Sequence, residues 1–292
     1  MGNRRKIRFT LTELMIYNAS LEVRDFDRVM VGQGLPIVAC NMAKAFHAPN
    51  ALLMTEAGLV DINPYRSPLH IADPTCLKGF SYACDLVDIF TTVLNRGYID
   101  VCFLGVGQVD RYGNLNSTVV GDYKNPRMRM MGAGGATDFA VYSKRIILTM
   151  RGGKFVDKLD YFTTPGWLDG YDSKKKAGLP ETGPELLIST KAVFRFPPPE
   201  RELTLVSLHP KVKLEDVAKD IPWKLKTAKE VAVTPPPTPE AIYFVRGFDP
   251  TLSAGRKLGL MLAMQATAKR MQEKQKPQAS ASPSGLEPKK GG

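Results

Sequence analysis

Hydrophobic and polar positions along the first part of the chain form blocks that predict helices and strands in turn. Residues 10–22 have helical spacing, and Thr10 and Glu13 have the spacing of a capping box at its start. The strand RVMVG, a helix from Leu35 to Phe46 and the strand ALLMTEAG follow in that order. A strand, a helix and a second strand form the βαβ pattern, which predicts a parallel sheet with right-handed crossovers. We therefore expect an α/β fold with an open, mainly parallel sheet and flanking helices.

The same alternation continues through most of the chain. Residues 82–95 predict a helix, and YIDVCFLGVGQVD after it predicts one buried strand. RIILTM at 145–150 and LTLVSL at 203–208 are further strand candidates, and ELLISTKAVFRF at 185–196 is typical of a hairpin. TPPPTP at 234–239 cannot pair in a sheet, so we expect an extended strap there.

Composition divides the chain into one large domain and two unlike ends. The first nine residues form a basic arm, and the predicted domain spans residues 10–252. Residues 253–276 are rich in Ala, Leu and Met and predict one helix, which we expect to pack on a partner subunit or on the chain's own edge. Residues 277–292 have the composition of a disordered tail.

The net charge of +11 does not predict nucleic-acid binding. The surplus lies in the basic arm and in residues 255–292, which hold eight basic and two acidic residues, and no nucleic-acid-binding motif accompanies it. The four cysteines have no CxxC spacing and the three histidines are isolated, so we expect neither a disulfide scaffold nor a metal site. The low cysteine content fits a reducing cytoplasm, and with no apolar run of transmembrane length we expect no membrane partner.

The segment ALLMTEAGLVD carries the clearest chemical signal. Its apolar run leads directly into Glu56, and Ala57 and Gly58 follow. This order predicts a buried strand that ends in a tight turn and presents a carboxylate, a common way to build an active site on an open α/β sheet. Taken alone, the segment favours the alternative of an exposed glutamate in a loop.

Two glycine clusters follow. The cluster that begins GVGQVDRYGN lacks the third glycine and the helix of a dinucleotide-binding motif, so we exclude NAD binding. In the second cluster, Gly132, Gly134 and Gly135 let the backbone approach a ligand and direct N–H groups at it, as an oxyanion hole requires. In isolation, this cluster is equally consistent with a tight turn.

Four separated motifs in one order resemble a known family. TEAGLVD, GVGQVDRYGNLNST, VGDYKNPRMRMMGAGGATDFAVYS and FTTPGWLDG together resemble the B subunit of glutaconate CoA-transferase, a family I CoA-transferase, from about Thr10 to Leu252. The resemblance implies the CoA-transferase type of α/β fold. It also implies that Glu56 is the nucleophile, although Ala57 stands where this branch of the family usually has serine.

The resemblance also assigns the other candidate site residues. The glycine loop matches the oxyanion-hole segment, with Gly134 the first candidate for the N–H donor and Gly135 the second. Gly132 and Ala133 belong to the same loop. The remaining candidates are glycines of nearby turns, the residues after Glu56 and two amides, all for the substrate pocket: Gly32, Gly34, Ala57, Gly58, Gln108 and Asn114.

The implied reaction is transfer of CoA between an acyl-CoA and a carboxylic acid through a glutamyl-CoA thioester. CoA thioesters would be substrates, with no permanently bound cofactor. Because the chain matches only the glutamate-bearing half of the family, the resemblance implies an A-type partner subunit in an A2B2 or larger hetero-oligomer. Two alternatives remain open: an acyl-CoA hydrolase or decarboxylase on the same fold, and a non-catalytic subunit of such a complex.

Overall fold

The computed structural model of the protein describes residues 7–249 and residue 251. Its centre is a ten-stranded sheet. The strands are β1 Arg28–Met30, β2 Leu52–Met54, β3 Leu59–Val60, β4 Tyr82–Ala83, β5 Val101–Gly105, β6 Gln108–Val109, β7 Leu115–Asn116, β8 Val119–Gly121, β9 Pro126–Arg129, β10 Arg145–Met150, β11 Lys154–Phe155, β12 Pro184–Ser189, β13 Ala192–Arg195, β14 Thr204–Leu208 and β15 Lys226–Val233. The helices are α1 Leu11–Ser20, α2 Leu35–Phe46, α3 Leu86–Asp88, α4 Ala136–Tyr142, α5 Ser173–Lys176, α6 Leu214–Ala218 and α7 Pro239–Phe248.

The large sheet runs in the order β15-β14-β13-β12-β10-β5-β1-β2-β3-β4. Its central strands β12, β10, β5, β1 and β2 are parallel to one another, and antiparallel pairs lie nearer both edges. Strands β6, β7 and β11 form a small second sheet, and β8 pairs with β9. The expected α/β fold with a mainly parallel sheet and flanking helices is confirmed.

Both faces of the large sheet are buried, as the continuous apolar runs of its central strands require. Successive residues of a strand point to opposite faces, so Val29 packs into the core under α1, α2 and α7, while Met30 packs into the core on the other face. Phe103 and Leu104 of β5 divide in the same way. The carboxyl ends of the parallel strands therefore meet at one edge of a rigid platform.

The first helix begins as its sequence predicts. The Thr10 side chain accepts a hydrogen bond from the N–H of Glu13, and the Glu13 carboxylate accepts one from the N–H of Thr10, which is a complete capping box. Glu13 is fully buried, and its carboxylate also accepts a hydrogen bond from Arg246 of α7 at 2.7 Å. Burial opposes its ionisation, yet the Arg246 and Thr10 bonds hold the pKa of Glu13 below its usual value.

Three sequence predictions are corrected by the structure. The predicted helix 82–95 begins later, because residues 82–83 pair as edge strand β4, and α3 continues as a π-helical segment, Ile89–Leu94. The predicted strand YIDVCFLGVGQVD is two strands, β5 and β6, in different sheets. In the predicted strap 234–239, Pro239 is already the first residue of α7, and the Thr238 side chain caps that helix.

The predicted ends of the chain fall outside the described residues, and membrane-spanning helices and metal sites can be assessed only within them. The helix predicted at 253–276 and the tail at 277–292 both lie outside residues 7–249 and 251, as does most of the basic arm. No helix in the described part of the chain combines the length and hydropathy needed to cross a membrane. Within the same residues, no group of three or more His, Cys, Asp or Glu side chains is placed to hold a metal ion.

Candidate active site

Glu56 occupies the tip of a tight turn between β2 and β3. The N–H of Gly58 donates to the carbonyl of Thr55 at 3.1 Å, which places Glu56 and Ala57 at the two central positions of a four-residue turn. Thr55 in turn donates its N–H to the carbonyl of Leu59 at 3.0 Å. The buried strand β2 therefore delivers the half-buried Glu56 carboxylate at the carboxyl edge of the sheet, as the sequence predicts.

The turn requires a glycine at position 58. Its φ is +92°, in the left-handed region, and a Cβ at this position would lie 1.9 Å from the carbonyl oxygen of Cys84. The backbone of Cys84 pairs closely here, since its N–H donates to the Gly58 carbonyl at 2.9 Å. The segment that contains Cys84 thus fixes the turn from one side.

The glycine loop meets Glu56 from the other side. The N–H of Gly135 donates to Oε2 of Glu56 with an N···O distance of 3.1 Å. The backbone of Gly134, the first donor candidate from the sequence, lies beside the same carboxylate: a Cβ on Gly134 would be 3.7 Å from Oε1 and 3.8 Å from Oε2. One oxygen of the Glu56 carboxylate is therefore bound by the backbone N–H of a residue 79 positions later in the chain.

An aromatic pair packs under this hydrogen bond. Phe90 and Phe139 stack with ring centroids 5.4 Å apart. A Cβ on Gly135 would lie 2.5 Å from Cζ of Phe90 and 2.8 Å from Cζ of Phe139. Because these rings leave no space for a side chain, the backbone N–H of Gly135 is held against the Glu56 carboxylate.

The other motifs that carry the family resemblance hold the glycine loop in place. The hydroxyl of Ser117 donates to the carbonyl of Gly132 at 2.8 Å, and the N–H of Gly132 donates to the Ser117 carbonyl at the same distance. The Thr163 hydroxyl accepts from the N–H of Ser117 at 3.1 Å, and the Thr137 hydroxyl donates to the Thr163 carbonyl at 2.9 Å. Three separate motifs thus interlock around one loop.

The two predicted amides lie within this support. The Asn114 side chain accepts hydrogen bonds from the N–H groups of Gly166 and Leu168 and donates to the carbonyl of Leu168 and to Asp110. The Gln108 side chain is bonded to Asp160 and Asn116. Both side chains are buried, and both use their polar atoms within the fold.

A cavity of about 860 Å³ opens at the same edge of the sheet. Gly34 after β1, Gly105 at the end of β5 and Thr149 near the end of β10 contribute to its wall, and Ser117 connects it to the glycine loop. The neighbouring glycine Gly32 is constrained by close approach, since a Cβ there would lie 2.6 Å from the carbonyl oxygen of Phe103. Arg151, which also lines this cavity, was missed by the sequence interpretation, although it directly follows the predicted strand RIILTM.

The structure therefore brings some of the predicted site residues together and separates others. Glu56, Ala57 and Gly58 share one turn, and Gly132, Ala133, Gly134 and Gly135 form the loop beside it. Gly34 lines the cavity. Gly32, Gln108 and Asn114 lie in the surrounding framework. Apart from Gly34, no predicted site residue lines the cavity, and this includes Glu56 and the glycine loop.

Comparison with known proteins places the chain in a family. Residues 12–220 match the Coenzyme A transferase family. The chain belongs to the coenzyme A transferase family. It is 34% identical over 248 residues to the B subunit of 3-oxoadipate CoA-transferase from Pseudomonas knackmussii, an alignment that covers 84% of this chain and 95% of that one. The family resemblance inferred from the motifs is confirmed.

The similarity to B subunits extends along nearly their whole length. The B subunit of glutaconate CoA-transferase from Acidaminococcus fermentans is 31% identical over 245 residues, which are 82% of this chain and 91% of that one. The crystal structure of glutaconate coenzyme A-transferase from the same organism superimposes with a TM-score of 0.78 at 30% identity, covering 83% of this chain and 96% of that chain. This CoA-transferase chain is thus of the B-subunit type.

Proposed function

We propose that the protein is the glutamate-bearing subunit of a two-subunit transferase that moves CoA from an acyl-CoA to a carboxylic acid. The acyl group is a small dicarboxylic or branched one, and the reaction passes through a glutamyl-CoA thioester on Glu56. The observation that carries this proposal is the hydrogen bond from the N–H of Gly135 to Oε2 of Glu56. It leaves Oε1 as the oxygen that attacks the substrate.

The first half-reaction consists of two acyl transfers. Oε1 of Glu56 attacks the thioester carbonyl carbon and expels CoA as the thiolate, which gives an acyl-glutamyl anhydride. The thiolate then attacks the glutamyl carbonyl carbon of this anhydride, the bond to the bridging oxygen breaks, and the acyl group leaves as a carboxylate. Glu56 is left as the CoA thioester, and an incoming acid reverses the two steps to depart as its own CoA thioester.

The geometry around Oε2 fits the charge that develops during these steps. When the thiolate attacks the glutamyl carbon, negative charge concentrates on the carbonyl oxygen, which is Oε2 if Oε1 has formed the anhydride. The N–H of Gly135 already donates to Oε2, so no rearrangement is needed to stabilise this oxyanion. One such donor contributes roughly 3–4 kcal/mol to the stability of a transition state.

The partner is proposed from the family and from the form of the site. Both B-type relatives are named as one subunit of a CoA-transferase. Glu56 and the glycine loop lie at the edge of the sheet, where a second subunit can complete the pocket. We therefore propose an A-type partner in an A2B2 or larger complex, with CoA thioesters as substrates and no permanently bound cofactor, acting in the cytoplasm.

Trapping of the intermediate tests the role of Glu56. The complex with its A-type subunit is incubated with acyl-CoA and then with borohydride, which reduces a glutamyl thioester to an alcohol. Peptide mass spectrometry should locate the reduced residue at Glu56 and should find none in Glu56→Ala. Glu56→Asp should lose about 100-fold in kcat, because a misplacement of about 1 Å has that cost. Glu181→Gln, a change at an exposed carboxylate, is the control and should retain full activity.

The same complex distinguishes transfer from hydrolysis. A transferase keeps its anhydride and thioester away from water, so acyl-CoA should be consumed catalytically only when an acceptor acid such as acetate is present. Release of free thiol at an equal rate without acceptor would replace the transferase proposal with a hydrolase. Full turnover by Glu56→Ala, with no modified residue, would exclude the covalent mechanism.

A further inference from the structure

Thr163 contacts the segments at both ends of the glycine loop, although it lies outside the loop. Its hydroxyl accepts a hydrogen bond from the N–H of Ser117 at 3.1 Å, and Ser117 is paired twice with Gly132, where the loop begins. Its carbonyl accepts a hydrogen bond at 2.9 Å from the hydroxyl of Thr137, which follows the last loop residue, Gly135, in α4. One residue therefore holds both the segment that leads into the loop and the segment that leads out of it.

The Thr163 hydroxyl has all of its hydrogen-bonding positions occupied. A hydroxyl has one proton to donate and two lone pairs that accept. Besides the N–H of Ser117, this hydroxyl contacts the hydroxyl of Thr118 at 2.7 Å and Oδ1 of Asn116 at 3.4 Å. Its main chain is anchored as well, since the N–H of Thr163 donates to the carbonyl of Leu115 in β7 at 2.9 Å. Thr163 is buried, with 9% of its surface exposed, and has a fixed position relative to β7.

The glycine loop depends on such contacts because it has almost no side chains of its own. Three of its four residues are glycines, and Gly132 and Gly134 have φ values of +88° and +50°, in the left-handed region. Glycine has the widest choice of backbone conformations, so the sequence of the loop does little to fix its shape. The aromatic rings below Gly135 bound the loop on one side. The contacts at its ends set where the N–H of Gly135 lies relative to Oε2 of Glu56, 3.1 Å from the donor nitrogen.

We propose that Thr163 is a positioning residue for the reaction: its hydroxyl and its carbonyl hold the glycine loop where the N–H of Gly135 binds Oε2 of Glu56. Thr163 acts through the loop, since the hydrogen bonds that carry this effect run to Ser117 and Thr137. This inference rests on the proposed function, in which the donor at Oε2 stabilises an oxyanion. A threonine with a purely structural role would affect only stability, whereas a positioning threonine also sets the rate of transfer without affecting substrate binding.

Removal of the hydroxyl without a change of shape tests the proposal. Valine has the branched shape of threonine, so Thr163→Val loses only the hydroxyl and leaves the N–H of Ser117 without its acceptor. In the complex with the A-type subunit, kcat for transfer should fall about 10- to 100-fold, the range for a displacement of up to about 1 Å, and KM should change less than about threefold. Thr163→Ser keeps the hydroxyl and should retain kcat within about threefold of the wild type.

The neighbouring threonine provides the matched control. Thr164 is even more deeply buried, with 1% of its surface exposed, and its hydroxyl has no hydrogen-bond partner among the residues that the structure describes. Thr164→Val is therefore the same chemical change at an adjacent buried position, but it removes no hydrogen bond. This variant should retain the kcat and KM of the wild type.

Hydrogen exchange in the complex without substrate measures the loop directly. The amide of Gly135 should exchange faster in Thr163→Val than in the wild type, because local opening of the loop breaks its hydrogen bond. Its rate should approach that in Glu56→Ala, where the acceptor is missing, while Thr164→Val should keep the wild-type rate. Thr137→Val removes the second contact at a half-buried position and should give the same two effects, which tests the proposal even if Thr163→Val does not fold.

The outcomes separate this inference from the proposed function. Unchanged kcat in the folded variants, or unchanged exchange at Gly135, would overturn the positioning role, and so would an equal loss of kcat in Thr164→Val. If exchange changes as expected but the wild-type complex transfers no CoA, the proposed function is refuted and Thr163 still positions the N–H of Gly135 at Glu56.

Discussion

Replacement of Gly135 by alanine is the most direct test of the oxyanion donor. A Cβ at this position would lie 2.5 Å from Cζ of Phe90 and 2.8 Å from Oε2 of Glu56. Contacts between non-bonded carbon atoms are favourable at about 3.5–4.0 Å, so the loop or the carboxylate must move by about 1 Å. A displacement of about 1 Å at a reacting group costs about 100-fold in rate, and loss of an oxyanion donor costs about 100- to 1,000-fold. We expect kcat of Gly135→Ala to fall at least 100-fold.

Gly134→Ala is the matched control in the same loop. Its Cβ would lie 3.7 Å from Oε1 of Glu56, an ordinary contact, while its φ of +50° makes alanine about 1–2 kcal/mol less favourable. We therefore expect a lower melting temperature but a much smaller loss of kcat, within about tenfold. Both variants are assayed for transfer with the A-type subunit and by thermal unfolding. Equal kcat values for Gly135→Ala and the wild type, with unchanged melting temperatures, would refute the assignment of Gly135 as donor.

Two further predictions concern stability. Gly58→Ala should destabilise the protein by at least about 3 kcal/mol, because left-handed strain combines with a contact of 1.9 Å to the carbonyl oxygen of Cys84. Gly97→Ala, with φ +71° and open space around the added Cβ, should cost only about 1–2 kcal/mol. Equal denaturation midpoints for the two variants would contradict this prediction. Burial lowers the pKa of His209 below its ordinary value, although its hydrogen bond to a backbone carbonyl opposes the shift. The unfolded chain then binds a proton at a higher pH than the folded chain, so this contribution to stability is present above about pH 6.5 and is lost as pH falls below it. Melting temperatures measured from pH 7.5 to 5.5 should fall less in His209→Gln than in the wild type, with the exposed His70→Gln as control; parallel curves for all three proteins would disprove the coupling.

Local signals in the sequence were sufficient for the elements that stabilise themselves. The capping box at Thr10 and Glu13 predicts the start of α1, and the apolar run before Glu56 followed by Gly58 predicts the strand and turn, because caps and glycine turns are set by neighbours in sequence. Four ordered motifs predict the family, which the comparisons confirm. The nucleophilic role of Glu56 stays a prediction.

Tertiary contacts decided where one apolar run had to break. We predicted YIDVCFLGVGQVD to be one strand although Gly105 and Gly107 interrupt its apolar run, and in the structure β5 ends at Gly105 and β6 begins a different sheet. Between them, Gly107 lies against Asn116, whose carbonyl oxygen would be 2.5 Å from a Cβ at that position. The alternation of residues along a single strand does not predict this contact between Gly107 and Asn116. The late start of the predicted helix 82–95 has the same cause, since residues 82–83 pair with β3.

The sequence by itself determined the chemical groups of the site, and the tertiary structure decided their arrangement. Glu56 and a glycine loop are both recognisable in the chain, but the choice of Gly135 as the N–H that reaches the carboxylate depends on the packing of Phe90 and Phe139 against it. The cavity and the place of Arg151 in its wall follow from the order of the strands, which brings together the ends of β1, β5 and β10. Such contacts join residues far apart in sequence, and their geometry is fixed only when both faces of the sheet are packed.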